Sequence, residues 1–307
     1  ARQAELEAQS KFDKQMRLKY CLSVDEAENK LNIKPMRAYV FDDKRAKKIQ
    51  WPVHVQPKYN GVRCMAYTLP GGRVRLMSRG GKDYTLPHIQ SALEGLLPTG
   101  FCLDGEIYVH GMSLQTIRHH IETYTDESLV VKFWCYDCTT IPATNAPWAE
   151  RLQKLVDWFN TQGALSSPHL RFSAIEEAAA IEEVKVHHDR WVAEGYEGAM
   201  IRTMTGTYKM AAKSTDLLKY KMFQDDEFKV VGSSVGKDGV IIYTCLQEDG
   251  QMFAVRPMGN EVERAELLKT ASTDVGKLLT VRFQERSNDN IPIFPVGVGF
   301  RPAKDLD

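Results

Sequence analysis

Two strand-like runs, Trp51 to Gln56 and Val62 to Thr68, stand so close together that only a tight turn can join them. The intervening residues read Pro57-Lys58-Tyr59-Asn60-Gly61. Proline lacks a backbone donor, and Asn-Gly is the strongest short turn signal, so a β-hairpin is expected with Lys58 at its mouth. From such a position a rigid sheet can present a side chain to a ligand. A Pro70-Gly71-Gly72 turn and a further run, Val74 to Ser78, follow at once. This crowding predicts an antiparallel meander and excludes a purely helical chain.

The remaining periodicities extend that frame. Residues 1 to 33 read as a charged helical appendage with a loose apolar stripe (Leu6, Phe12, Met16, Leu18, Leu22, Leu31). Lys34-Pro35 breaks it, and a basic loop follows from Asp42 to Lys48. Helices are expected over Leu86 to Leu97, Leu114 to Ile121, Trp148 to Asn160 and Glu176 to Glu194. Strands are expected over Phe101 to Val109, Leu129 to Tyr136, Gly198 to Arg202 and Leu217 to Met222. From Gln224 onward, four short alternating runs and one helical interruption, Val262 to Thr270, suit a small barrel of the oligonucleotide-binding type. The expected fold class is therefore α+β. Its domains are the appendage (1–33), a sheet-rich domain (34–223) and the barrel (224–307).

With 307 residues, the chain has room for two domains. Forty basic and forty acidic residues cancel, but they are unevenly spread. Eight basic residues against Asp42 and Asp43 lie between Lys34 and Arg63, whereas seven carboxylates against Lys185 and Arg190 lie between Ser173 and Gly198. Zero net charge therefore does not exclude a polyanionic partner. Cys135 and Cys138 form the one CxxC among six cysteines, and alternation along a strand explains it better than zinc. The pairs His119-His120 and His187-His188 read as surface or packing histidines, and the Glu176, Glu177, Glu182, Glu183 run as a solvated helix face. Reduced cysteines, a polar N-terminus and no long apolar run imply a soluble, cytoplasmic protein without a membrane partner.

For Lys58 to act as a nucleophile, nearby cations or desolvation must favour its neutral form, and a metal must stabilise the phosphate that it attacks. Asp104, Glu106 and Glu197 suit Mg²⁺, while Arg63, Arg79, Lys219 and Lys221 suit a polyphosphate. These residues occur in an ordered series of motifs. Lys58-x-Asn60-Gly61-x-Arg63 resembles the KxDGxR signature of the covalent nucleotidyltransferases, which include ATP-dependent DNA ligases and mRNA capping enzymes. Ser78-Arg79, Asp104-Gly105-Glu106, Phe133-Trp134-Cys135-Tyr136-Asp137, Glu197-Gly198-Ala199-Met200-Ile201-Arg202 and Leu217-Leu218-Lys219-Tyr220-Lys221 resemble that family's later motifs in order. Together with the barrel, the resemblance is to compact ATP-dependent DNA ligases of the bacteriophage type.

That resemblance implies a nucleotidyltransferase (adenylation) domain of antiparallel sheets with flanking helices, followed by an OB-fold. It implies that Lys58 attacks the α-phosphate of ATP, leaving AMP covalently attached, with Lys219 and Lys221 on the same phosphate. Gln56 and Pro57 would face the base, Tyr136 would stack on it, and Arg63 and Glu106 would hold the ribose. Arg79 would reach the AMP phosphate or the 5′-phosphate of a nick. Glu197, with Glu106, would bind Mg²⁺. Lys44, Arg45, Lys47, Lys48 and Arg79 would grip the phosphates of nicked duplex DNA. Arg301 and Lys304, in a loose RxDK-like tail, would orient the pyrophosphate. The protein would act as a monomer.

Asn60, Gln56 and Ala303 depart from the family's usual Asp, Glu and Asp. Asn keeps the turn geometry, and Gln keeps an acceptor for an adenine amine. A capping guanylyltransferase, an RNA ligase and a non-catalytic nucleic-acid-binding protein remain open as alternatives.

Overall fold

The computed structural model describes residues 2–17, 33–221, 223–284, 286–287 and 289–301. Chain contacts divide it into Ala1–Lys221 and Met222–Asp307.

In the first unit the strands are β1 (Arg37–Val40), β2 (Val53–Lys58), β3 (Val62–Thr68), β4 (Val74–Ser78), β5 (Asp83–Tyr84) and β6 (Phe101–Tyr108). They continue with β7 (Lys132–Thr140), β8 (Leu170–Phe172), β9 (Glu176–Ala178), β10 (Gly198–Thr203) and β11 (Lys213–Tyr220). Two sheets result, with orders β1-β11-β10-β2-β9 and β5-β4-β3-β6-β7-β8. Each is antiparallel except for one edge pair, β1 with β11 and β7 with β8.

This order corrects the expected hairpin. β2 pairs with β10 and β9, and β3 with β4 and β6, so Lys58 to Gly61 is a crossover between sheets. The reason is that both faces of these strands need cover. Val53 and Val55 are fully buried among Ala199, Ile201 and Trp191, while Cys64 and Ala66 are buried in a different cluster with Leu103 and Phe133. Gly61 makes the tight passage possible, because a Cβ there would stand 2.6 Å from the Ile107 carbonyl oxygen.

Other boundaries moved as well. Glu176–Ala178 forms an edge strand, and its helix starts only at Ile181, so the four glutamates do not share one helix face. The basic loop contains one short helical turn, Asp43–Ala46. Cys135 and Cys138 are both buried because β7 carries a bulge: Asp104 pairs with Asp137 and Gly105 with Cys135, leaving Tyr136 as the extra residue.

The helix Trp148–Thr161 buries Trp148, Arg151, Leu155, Trp158 and Phe159, the stripe its helical period predicts, with an arginine inside it. The N-terminal helix spans Arg2–Arg17 with Leu6 and Phe12 exposed; Leu18, Leu22 and Leu31 lie outside the described residues.

The second unit is a closed barrel of β12 (Gln224–Val235), β13 (Ile241–Leu246), β14 (Met252–Pro257), β15 (Leu278–Phe283) and β16 (Val296–Phe300). Its order is β12-β13-β14-β16-β15, the five-stranded OB-type barrel expected from the turn spacing. Alternate residues of β13 and β15 (Tyr243, Cys245, Leu279, Val281) fill it. The helix Glu261–Thr270 starts at Asn260, whose side chain accepts from the Val262 and Glu263 amides at 2.9 and 3.1 Å. Among the described residues, no helix is long and apolar enough to cross a membrane.

Candidate active site

β2 and β10 run antiparallel with Gly198 opposite Lys58, and the Glu197 amide donates to the Lys58 carbonyl at 2.9 Å. The sheet register therefore brings Lys58 and Glu197 together although they lie 139 positions apart along the chain. The Glu197 carboxylate holds the ammonium of Lys58 through one oxygen and that of Lys221 through the other. Gly198 permits this approach. It adopts φ +148°, and a Cβ there would stand 2.5 Å from the Tyr220 carbonyl oxygen.

Lys58 opens onto a cavity of about 1150 Å³ that Gln56, Pro57, Arg63, Arg79, Glu106, Tyr136 and Lys219 also line. Arg63 forks onto Asp104 at 2.9 and 2.5 Å, and Tyr208 donates to the same carboxylate at 2.6 Å. The guanidinium of Arg63 lies 5.5 Å from the centre of the Tyr136 ring. The Tyr136 hydroxyl donates to Glu106 at 3.1 Å. Burial pushes the Glu106 carboxyl up to about 7, against the opposing pull of Lys58, Arg63 and that hydrogen bond. Lys219 is shifted the other way: burial lowers its pKa, and the neighbouring Lys58, Lys213 and Arg79 add to the effect.

Gln56 is almost completely buried, which a residue reserved for the base need not be. Its amide oxygen accepts from Arg202 at 2.6 Å, and its amide nitrogen donates to the Tyr136 carbonyl at 3.0 Å. Arg202 also donates to Asp137 at 2.5 Å, and Arg151 meets Asp137 at 2.9 and 3.2 Å. Sequence reasoning placed Arg202 and Asp137 in motifs but gave them no role, and it missed Arg151. The signal was available: an arginine at an apolar position of an amphipathic helix needs a buried partner.

The other sequence-derived residues are placed less centrally. Arg45 lines the cavity, stacking 4.6 Å over Tyr39 and donating to the Val40 carbonyl, whereas Lys44, Lys47 and Lys48 are exposed and do not line it. Arg301 belongs to the barrel, where it donates to Glu227 at 2.8 Å. Lys304 lies outside the described residues.

The family model of the ATP dependent DNA ligase domain matches residues 35–221, the stretch that supplies every cavity residue named above. The chain belongs to the ATP-dependent DNA ligase family.

Among relatives of this family, the DNA ligase of an African swine fever virus isolate is 31% identical over 268 residues, covering 80% of this chain. The chain spans 63% of the length of that viral relative. Bacteriophage T4 DNA ligase is 22% identical over 252 residues, covering 64% of this chain and 50% of its own length. A solved structure of a Lig E DNA ligase has a TM-score of 0.69 at 19% identity, covering 87% of this chain and 99% of that one. The bacteriophage T7 ATP-dependent DNA ligase in complex with ATP has a TM-score of 0.55 at 17% identity, covering 87% of this chain and 98% of that one. At such identities the structural likeness concerns the fold.

Among the described residues, no three His, Cys, Asp or Glu side chains converge into a metal cage. Magnesium, however, usually takes one or two carboxylates and completes its shell with water and substrate phosphates. Glu197 beside Lys58 and Glu106 on the cavity wall fit that mode of binding.

Proposed function

We propose that this protein is an ATP-dependent DNA ligase that seals nicks in duplex DNA. The observation that carries the reading is the Lys58–Glu197–Lys221 cluster at a cavity otherwise walled by Arg63, Arg79 and Lys219. A buried carboxylate shared by two ammonium groups keeps them close, and an ammonium, unlike a guanidinium, is a group that can surrender its proton.

The neutral Lys58 nitrogen attacks the α-phosphorus of ATP and forms a P–N bond, while the bond from that phosphorus to the α–β bridging oxygen breaks. Pyrophosphate leaves with that oxygen and the electron pair, and the surplus proton on the nitrogen is lost to solvent through the cavity. Lys219 and Lys221 offset the charge that builds on the α-phosphate oxygens. Arg63 and Glu106 hold the ribose side, and Tyr136 offers its ring to the base. The 5′-phosphate of a nick then displaces Lys58 from the adenylate, Arg79 steadying it. The 3′-hydroxyl next attacks that phosphate, closing the strand and releasing AMP. Magnesium, held by Glu197 with Glu106, would supply charge neutralisation on the phosphates. The adenylation domain in this reading covers residues 34–223 and the barrel 224–307, acting as a monomer on DNA. Arg301 and Lys304 belong to the pyrophosphate-orienting tail, while Lys44, Arg45, Lys47 and Lys48 meet the DNA backbone.

Incubation with Mg²⁺ and α-labelled ATP, followed by denaturing electrophoresis, tests this directly. Label is expected on the protein, and nicked DNA should discharge it. Label from GTP and not ATP would point to capping chemistry, and absence of label from both would refute the adenylation reading.

A further inference from the structure

Lys58 closes β2 in the five-stranded sheet, yet the residue after it is anchored in the other sheet. Tyr59 is 5% exposed, and its hydroxyl donates to Ser173 Oγ at 3.0 Å. Its ring meets those of Tyr108, Trp134 and Tyr196 at 5.1, 5.2 and 5.7 Å between centroids. Tyr108 ends β6 and Trp134 lies on β7, both in the six-stranded sheet. Ser173 follows β8, and its amide donates to the Cys135 carbonyl of β7 at 2.9 Å. Tyr196 immediately precedes Glu197. The residue after the lysine and the residue before its carboxylate partner thus pack on each other and on the opposite sheet.

A phenylalanine would fill this space equally well, so hydrophobic packing alone does not account for the hydroxyl. Burial raises the Tyr59 pKa well above its ordinary value, which keeps the hydroxyl a donor across the usable pH range. Its bond to Ser173 pins the far end of the side chain while the neighbouring rings clasp its faces, and the backbone from which Lys58 extends is held with it.

We propose that Tyr59, held by Ser173 and Tyr196, is a positioning residue that sets the aim of Lys58 beside Glu197. The proposal rests on the adenylation reading above. It assigns Tyr59 no contact with ATP: the residue acts through Lys58. Its loss should therefore slow the chemical step while leaving nucleotide affinity alone, because small misplacement of a nucleophile costs rate steeply.

The experiment is single-turnover adenylylation with Mg²⁺ across a range of ATP concentrations, on wild type, Tyr59→Phe, Ser173→Ala and the double variant. Tyr59→Phe should lower the rate at saturating ATP about tenfold with the half-saturating ATP concentration changed less than about twofold. Ser173→Ala should match it, and the double variant should lose no more than either alone. Tyr59→Leu, which also removes the aromatic contacts, should lose about a hundredfold; if it fails to fold, Tyr59→Phe, one oxygen smaller, carries the test. A wild-type rate for Tyr59→Phe at saturating ATP would overturn the proposal, as would a loss confined to ATP affinity. A wild-type protein that takes no label would instead overturn the adenylation reading, and this proposal with it.

Discussion

Two carboxylates in the first unit each sit between two cations, and they are built to opposite ends. Asp137 lies between Arg151 and Arg202, with side-chain exposures of 0%, 3% and 3%. Arg151 further donates to the Ala146 and Gly206 carbonyls at 2.8 and 2.9 Å, so the charge is closed off on all sides. Glu197 lies between Lys58 and Lys221, with Lys58 19% exposed at the cavity. Guanidinium stays charged at any pH a protein meets, whereas an ammonium can surrender its proton. The arginine cluster can therefore only hold, whereas the lysine cluster is built of groups that can give up a proton. They are also linked: Arg202 grips Gln56, two residues before Lys58, so the arginine cluster anchors the strand that carries Lys58.

The sharpest way to break this comparison is to give the second cluster the chemistry of the first. Lys58→Arg keeps a cation beside Glu197 but cannot form the lysyl phosphoramidate, so labelling from α-labelled ATP should fall below detection while the protein still melts cooperatively. Asp137→Ala does the reverse damage, leaving Arg151 and Arg202 buried without their anion. A loss of about 3–5 kcal/mol is expected in urea unfolding, large enough to unfold many domains.

Glu106 offers an intermediate case, since burial raises its folded pKa to about 7. A raised carboxyl binds its proton more tightly when folded, so the native state loses stability as pH rises from the ordinary carboxylate range through about 7. Glu106→Gln should therefore melt higher than wild type at pH 8, with the gap narrowing as pH falls toward 5. In the same window, wild-type adenylylation should increase with pH as the carboxylate forms, and Glu106→Gln should flatten that limb. At the small end, Arg301→Ala breaks a half-exposed pair with Glu227 in the barrel. Its cost to barrel stability should stay below about 1 kcal/mol in urea unfolding.

Much of this molecule can be read from local pattern. The strand period, the turn residues and the ordered motifs placed the sheet domain, the barrel and the residues around Lys58, because alternation and turn chemistry act within a few residues. Pairing across the fold was not readable that way. Lys58 looked like a hairpin residue since β2 and β3 are adjacent in sequence, yet each found its partners in a different sheet where its apolar side could be covered. Gln56 lines the cavity as a base-facing residue would, but its anchoring bonds come from Arg202 and Tyr136 on distant strands, which no local pattern announces. The sequence by itself determined which cationic and acidic residue types stand in the ordered motifs. Tertiary structure decided which charge faces which, because a register between strands is set by the burial of whole faces and not by any one motif.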